Sequence, residues 1–162
     1  ASFELLCRKE LGLYHPFWEL DHWRAVALRS SRSTAPDTEV IVRLRVNGTT
    51  EHHVSGGHGP VDAMAHSMIK ALRPHYPDVE KIRLIDYKVR VINPRAATAA
   101  RVRVTIEFRD EQTHEIFNTV GVSENIIEAS WIALADGIEY KLINDEEGKK
   151  RRSAKAVKAK RG

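Results

Sequence analysis

The sequence predicts an α+β fold made of two βββα units that follow one another along the chain. Residues 42–72 can be laid without a gap over residues 104–134, and in both segments an alternating apolar pattern gives way to helical spacing. One further alternating segment precedes each copy, at 17–28 and at 81–92. The shared change from period 2 to period 3.6 predicts an internal repeat in which three strands lead into one helix.

Apolar residues at every second position identify the strands of both units. In the middle strands they are Val42, Leu44 and Val46 in the first unit and Val104, Ile106 and Phe108 in the second. In the strand that opens the second unit, Tyr87, Val89 and Val91 share one face. The same alignment places Gly59 on Gly121, just ahead of the helical spacing. Each helix is therefore expected to cover one face of a three-stranded antiparallel layer.

Capping signals mark where the two helices begin. Gly59 and Pro60 occupy the cap and first-turn positions of the first helix, and Asp62 lies near the positive end of its dipole. Ser123 is predicted as the N-cap of the second helix, with Glu124 in its first turn.

These patterns divide the chain into a connector, two units and a tail. Residues 17–144 are predicted to form one domain, which contains the first βββα unit (17–73) and the second βββα unit (81–143). A linker helix and connector (1–16) precedes this domain, and a basic tail expected to be disordered (145–162) follows it.

Charge is distributed unevenly along the chain. The net charge is +4, but residues 149–162 carry eight Lys and Arg and no acid, which leaves 18 basic against 22 acidic residues in the rest. A mildly acidic body argues against a nucleic-acid surface, apart from non-specific contact by the tail. No apolar run approaches the roughly 18 residues of a membrane helix. The single Cys7 fits a reducing compartment, so the cytoplasm is expected.

Residues that carry catalysis or bind metals are sparse. His52 and His53 are neighbours on a strand and point to opposite faces, and His58 has no second ligand at metal-binding spacing. The glycine-rich "GGHG" lacks the Lys and Ser or Thr of a phosphate-binding loop. The sequence therefore predicts no catalytic site, metal or cofactor in this chain. What the glycine loop does offer is bare backbone N–H groups at a helix start, a common place to hold an anion.

Three motifs resemble a known regulatory domain. They are "GHGPVDA" (57–63), "DYKVRVINPRAATAARVRV" (86–104) and "GVSENIIEASWIALADGIEYKL" (121–142). Together they resemble the C-terminal regulatory domain of the 2-isopropylmalate synthase and citramalate synthase family, over about residues 1–144. The last motif is closer to the citramalate synthase branch. The chain does not begin with Met, which fits a piece of a longer protein.

The resemblance implies a feedback sensor rather than an enzyme. In that family a TIM barrel condenses acetyl-CoA with a 2-oxo acid at a divalent metal, and the C-terminal domain dimerises and binds an end-product amino acid. The effector is isoleucine for most citramalate synthases and leucine for isopropylmalate synthases. The metal-binding His-x-His pair of the barrel is absent from this sequence. A homodimer is therefore expected, with the barrel, the metal and acetyl-CoA belonging to the rest of a parent acyltransferase.

A free branched-chain amino acid has a carboxylate, an ammonium and an apolar side chain, and the sequence offers a place for each. The carboxylate suits a helix start, at Gly57–Val61 or at Ser123–Ile126. Asp62 is the nearest carboxylate for the ammonium. An apolar slot is expected along one strand, from Leu84, Tyr87 and Val91, with Ala97 and Ala99 keeping its floor low.

The family's effector site, carried across position by position, falls on eleven residues: Gly57, Gly59, Val61, Asp62, Leu84, Tyr87, Val91, Ala97, Ala99, Asn125 and Ile126. For Leu84, Val91 and Ile126, a place in the core explains the residue as well as a ligand contact does. Asp62 is also explained by the helix dipole alone. His58 stands where the family usually has Asn.

Two other functions stay open at this point. The chain could be a free-standing amino-acid-sensing module that acts on a partner in trans. It could also bind RNA through its strands and tail, which predicts exposed aromatic residues on a sheet and a strong salt dependence. The acidic body and the lack of an aromatic-rich strand count against RNA binding.

Overall fold

In the computed structural model, two three-stranded antiparallel sheets are each followed by a helix. The structure describes residues 1–29, 31, 37–92 and 100–159, with side chains described as far as residue 154. Its elements are α1 (Ser2–Glu10), β1 (Glu19–Leu28), β2 (Asp37–Val46), β3 (Thr49–Gly57), α2 (Pro60–Leu72), a 3₁₀ helix (Pro77–Lys81), β4 (Ile82–Val91), β5 (Val102–Asp110), β6 (Ile116–Ser123) and α3 (Ile126–Ala159). The strand orders are β1-β2-β3 and β4-β5-β6, which confirms the predicted α+β fold of two βββα units.

The internal repeat is present, but its register differs from the gapless alignment. Trp23 lies opposite Val42 in the first sheet, and Tyr87 lies opposite Ile106 in the second, so equivalent residues of the first two strands are 64 positions apart. The predicted offset of 62 is wrong. Because side chains on a strand alternate with period 2, a shift by two residues still places apolar on apolar residues, and the pattern alone cannot choose among even offsets.

The hairpin between the second and third strands changes the offset again. In the first unit Asn47 and Gly48 form a two-residue turn, and both have positive φ, 49° and 80°. The corresponding connection in the second unit is two residues longer, so equivalent residues beyond it are 66 positions apart. Gly59 therefore corresponds to Asn125, and its predicted pairing with Gly121 is wrong.

Small residues let each helix lie close to its sheet. Ser67 of α2 donates from its hydroxyl to the carbonyl oxygen of Val40 at 2.8 Å. In the second unit a Cβ built on Gly121 would lie 1.9 Å from the carbonyl oxygen of Ala129. The strand residues that face the helices are buried, and they include Val40, Val42, Leu44, Val46, Val104, Ile106 and Phe108.

A buried cation fixes the middle of α3 to the end of β5. The Lys141 side chain is 1% exposed, and its Nζ lies 3.0 Å from Asp110 Oδ2 and 2.6 Å from Asp145 Oδ1. Two carboxylates around one ammonium keep the buried charges compensated, which isolated buried charges would not be.

The predicted disordered tail is wrong over residues 145–159, because α3 continues through them as a helix. Ion pairs between residues four apart support this extension, including Arg151 with Glu147 at 3.5 Å. Two further pairs hold it to the domain: Arg8 lies 2.8 Å from Glu147, and Lys149 lies 3.3 Å from Asp78.

None of the described helices combines the length and the apolar content that a membrane-spanning helix requires.

Candidate functional site

The two glycines before α2 have different surroundings. A Cβ on Gly57 would lie 2.5 Å from the backbone nitrogen of Ala63 and 2.8 Å from Asp62 Oδ2, so the fold itself requires glycine there. Gly59 is the N-cap of α2 in an extended conformation, with φ −179°, which any residue can adopt. Apart from its two chain neighbours, no described residue has an atom within 4 Å of a Cβ on Gly59. The absence of a side chain at Gly59 therefore leaves open space at the helix start.

The start of α2 has backbone donors without partners inside the helix. Pro60 has no N–H, and the first bond of the helical ladder runs from Ala63 N to the carbonyl oxygen of Gly59 at 3.0 Å. Helix geometry leaves the N–H groups of Val61 and Asp62 outside that ladder. Together with the positive end of the helix dipole, they form a place suited to a carboxylate.

Asp62 also shapes the glycine loop. The backbone N–H of His58 donates to Asp62 Oδ2 at 3.0 Å, and His66 Nε2 lies 3.6 Å from Asp62 Oδ1. The side chain of Asp62 is 41% exposed, so the carboxylate remains accessible from solvent. Asp62 thus holds the loop in place and presents negative charge beside the open helix start.

At the start of α3, the free backbone N–H groups already have a hydrogen-bond acceptor within the chain. The side-chain oxygen Oδ1 of Asn125 accepts hydrogen bonds from the N–H groups of Ile127 at 2.8 Å and Glu128 at 3.3 Å. Ser123, the predicted N-cap, instead ends β6 and accepts from the N–H of Asn125 at 3.1 Å. The helix begins at Ile126, two residues later than the Ser123 cap predicted, because the Asn carbonyl reaches both free donors. Of the two helix starts considered from the sequence, that of α2 is the one open to a carboxylate.

Tyr87 of β4 is joined to the first turn of α3. The Tyr87 hydroxyl lies 2.9 Å from Ser130 Oγ, and Ser130 Oγ donates to the carbonyl oxygen of Ile126 at 2.7 Å. Since the single hydroxyl proton of Ser130 is used on Ile126, Tyr87 donates to Ser130. The structure thus brings Tyr87 and Ile126 together through Ser130, a residue that the sequence analysis missed.

Three of the predicted apolar residues are exposed rather than part of the core. Leu84 is 39% exposed, Val91 is 53% exposed and Ile126 is 42% exposed. Leu84 lies opposite Phe108 on β5, so it belongs to the face of the sheet that α3 packs on. Because β4 is an edge strand and α3 packs on β5 and β6, the helix leaves the apolar residues of β4 on this face, including Leu84 and Val91, uncovered. A core role within the single chain therefore does not explain these residues.

The predicted site residues fall into two groups in the described chain. Gly57, Gly59, Val61 and Asp62 gather at the start of α2, in the first unit. The second group, in the second unit, consists of Leu84, Tyr87, Val91 and Ile126, with Asn125 next to it as a helix cap. Ala97 and Ala99 lie outside the described residues.

Histidines and carboxylates of the described residues form ion pairs rather than a metal cluster. Glu51 accepts from His53 Nε2 at 2.9 Å and from His75 Nε2 at 2.8 Å, through different oxygens. These two hydrogen bonds lower the pKa of the Glu51 carboxyl below its ordinary value. Among the residues with a described placement, no three His, Cys, Asp or Glu side chains are positioned to hold a metal ion.

Comparison with known proteins agrees with the motifs and with the fold. The family model described as the LeuA allosteric (dimerisation) domain matches residues 1–142. The (R)-citramalate synthase of Aquifex aeolicus is 47% identical over 147 residues, 91% of this chain and 28% of the relative. The (R)-citramalate synthase of Geobacter sulfurreducens is 40% identical over the same shares. A 2-isopropylmalate synthase of Solidesulfovibrio magneticus is 29% identical over 66% of the chain and 19% of the relative. The chain thus spans just over a quarter of the first two relatives, and it belongs to the LeuA allosteric (dimerisation) domain family, as the sequence motifs predicted.

Proposed function

We propose that this chain is the feedback-sensing and dimer-forming domain of a citramalate synthase, and that its effector is isoleucine, with leucine as the alternative. The observation that carries the proposal is the open start of α2, where Gly59 leaves space in front of the N–H groups of Val61 and Asp62. Membership of an allosteric domain family and the names of the most similar relatives supply the class of enzyme.

Each part of the effector has a proposed partner. The carboxylate accepts from the N–H groups of Val61 and Asp62, where a side chain on residue 59 would be in its way. The ammonium pairs with the exposed carboxylate of Asp62. The branched side chain needs apolar surface, which the exposed side chains of Leu84 and Val91 on β4 and of Ile126 at the start of α3 offer.

A homodimer is proposed from the same exposed surface. Leu84, Val89 and Val91 lie on an edge strand and are each more than a third exposed, which is unusual for a row of large apolar residues that has no partner. Covering this row with a second copy would remove apolar surface from water, and the family is described as a dimerisation domain.

The catalytic part is proposed to lie elsewhere in a longer parent protein. Because the chain spans 28% of its citramalate synthase relatives, most of such an enzyme would be outside it. We expect the barrel that uses a divalent metal and acetyl-CoA to be in that remainder. The alternative, a free-standing sensor that acts in trans, predicts no such barrel in the same reading frame.

Calorimetric titration of the purified chain with L-isoleucine and with L-leucine tests the proposal. One methyl group that changes position in an apolar pocket is worth about 1–3 kcal/mol, so a preference of about 10- to 200-fold is expected for isoleucine. Gly59→Val should abolish the heat of binding while the chain stays folded. Tighter binding of leucine would instead indicate that the parent enzyme is a 2-isopropylmalate synthase. A folded chain that binds neither amino acid would contradict the sensor proposal.

A further inference from the structure

A second set of contacts joins α3 to the segment that opens the chain. Tyr14, in the connector after α1, donates from its hydroxyl to Glu139 Oε1 at 2.6 Å. Lys9 Nζ lies 3.4 Å from Glu139 Oε2, and it also sits 4.7 Å from the centroid of the Tyr14 ring. Glu139 itself is only 8% exposed. The α3 helix is thus held to the opening segment by a carboxylate that is almost fully out of water.

A buried carboxylate makes this contact sensitive to position. Burial raises the pKa of Glu139, and the hydrogen bond from Tyr14 and the charge of Lys9 oppose that rise. Leaving a buried ionised group without its partners is costly, so small displacements of α1 or of α3 are opposed. Farther along α3, Arg8 reaches Glu147 at 2.8 Å and extends the same junction.

One helix therefore touches both the candidate effector site and the opening segment. At its start, Ser130 and Ile126 of α3 hold Tyr87 of β4. Glu139 follows Ser130 by nine residues on the same helix, which corresponds to about 14 Å along its axis. Because the described helix runs without interruption from Ile126 to Ala159, a shift at its start is carried to Glu139.

We propose that α3 carries the effector signal to the rest of the parent protein through the contact of Tyr14 with Glu139. This inference rests on the proposed function, and it adds the route of regulation to it. Tyr14 and Glu139 are positioning residues: they do not touch the effector, and they set where α1 and the connector lie relative to α3. When the effector fixes the start of α3, the contact between Tyr14 and Glu139 adopts the arrangement that restrains the catalytic part.

The parent enzyme with Tyr14→Phe tests this route. Two quantities are measured: the affinity for isoleucine by calorimetry, and the fractional inhibition of condensation at saturating isoleucine. Allosteric couplings correspond to about 5- to 150-fold changes. We expect an unchanged affinity, within about threefold, and loss of most of the inhibition. Tyr140→Phe is the matched control, because it removes a hydroxyl of the same helix that donates to Glu115, outside the opening segment, at 3.1 Å.

A double variant separates coupling from stability. Tyr14→Phe removes the hydrogen bond to Glu139 Oε1 and leaves Lys9 as the partner of Glu139, whereas Tyr14→Phe with Glu139→Leu replaces both members of that hydrogen bond by apolar groups, a change that is often close to neutral for stability. Loss of inhibition in both variants, with urea unfolding restored in the double variant, supports the route. Full inhibition in Tyr14→Phe with normal isoleucine affinity overturns the inference alone. Absence of binding of both isoleucine and leucine in the unsubstituted enzyme overturns the proposed function as well.

Discussion

Substituting alanine at Gly57 and at Gly59 should have very unequal consequences for stability. A Cβ on Gly57 would meet two backbone atoms of Ala63, its nitrogen at 2.5 Å and its Cα at 2.9 Å. Backbone atoms of a helix cannot swing aside as a flexible side chain does, so the start of α2 must move away from β3. At Gly59 the backbone is extended, and apart from the two chain neighbours no described residue has an atom within 4 Å of the new methyl group.

The magnitude follows from these distances. Forcing an extra methyl group into a packed position costs about 1–3 kcal/mol, which is the expected loss of unfolding free energy for Gly57→Ala. Gly59→Ala should cost less than about 1 kcal/mol, because its methyl group meets open space and only the weaker N-cap preference of alanine acts against it. For a chain of this size, each kcal/mol corresponds to about 2–4 °C in Tm.

Urea unfolding followed by circular dichroism measures both variants beside the unsubstituted chain. The two are matched, since each adds one methyl group to a glycine of the same loop. A Gly57→Ala variant as stable as Gly59→Ala would refute the close approach of β3 to α2. A strongly destabilised Gly59→Ala would refute the open space at the helix start.

Two further predictions concern other parts of the fold. Gly121→Ala should destabilise the chain more than Gly57→Ala, because its methyl group would lie 1.9 Å from the carbonyl oxygen of Ala129, and calorimetric scanning would compare their Tm values; equal Tm values for Gly121→Ala and the unsubstituted chain would contradict the docking of α3 on β6. The hydrogen bonds from His53 and His75 lower the folded-state pKa of Glu51 below its ordinary 4.5, so Glu51 contributes stability that is present above that pH and is lost as the pH falls through the folded-state pKa. Glu51→Gln should therefore flatten the decline in unfolding free energy between about pH 5 and about pH 3, and an unchanged slope would contradict the role of these bonds.

Much of the fold could be predicted from the sequence, because strands and helices differ in apolar period. The two βββα units and the start of α2 at Gly59 and Pro60 could be predicted from the sequence in this way. The register of the repeat could not be predicted, since a shift of two residues leaves the alternation of apolar residues unchanged. The same limit explains why Gly59 was paired with Gly121 rather than with Asn125.

The sequence singles out the residues of the candidate site but not how the fold uses each of them. The sequence could not tell that Gly57 is required by the fold and that Gly59 faces open space, because the difference depends on how close α2 comes to β3. Ser130 was missed because its hydroxyl partner, Tyr87, is distant in sequence. The helical tail was missed because ion pairs across one turn, and contacts to Arg8 in α1, outweigh its repelling charges.

The most direct test of the proposed site is an NMR titration of the ¹⁵N-labelled chain with L-isoleucine. We expect the amide signals of Val61 and Asp62 to shift on saturation, because their N–H groups donate to the carboxylate at the open start of α2. The amide signals of Ile127 and Glu128 should shift less, since their N–H groups already donate to Asn125 Oδ1. Unchanged amide signals of Val61 and Asp62 at saturating isoleucine would contradict binding of the carboxylate at the start of α2.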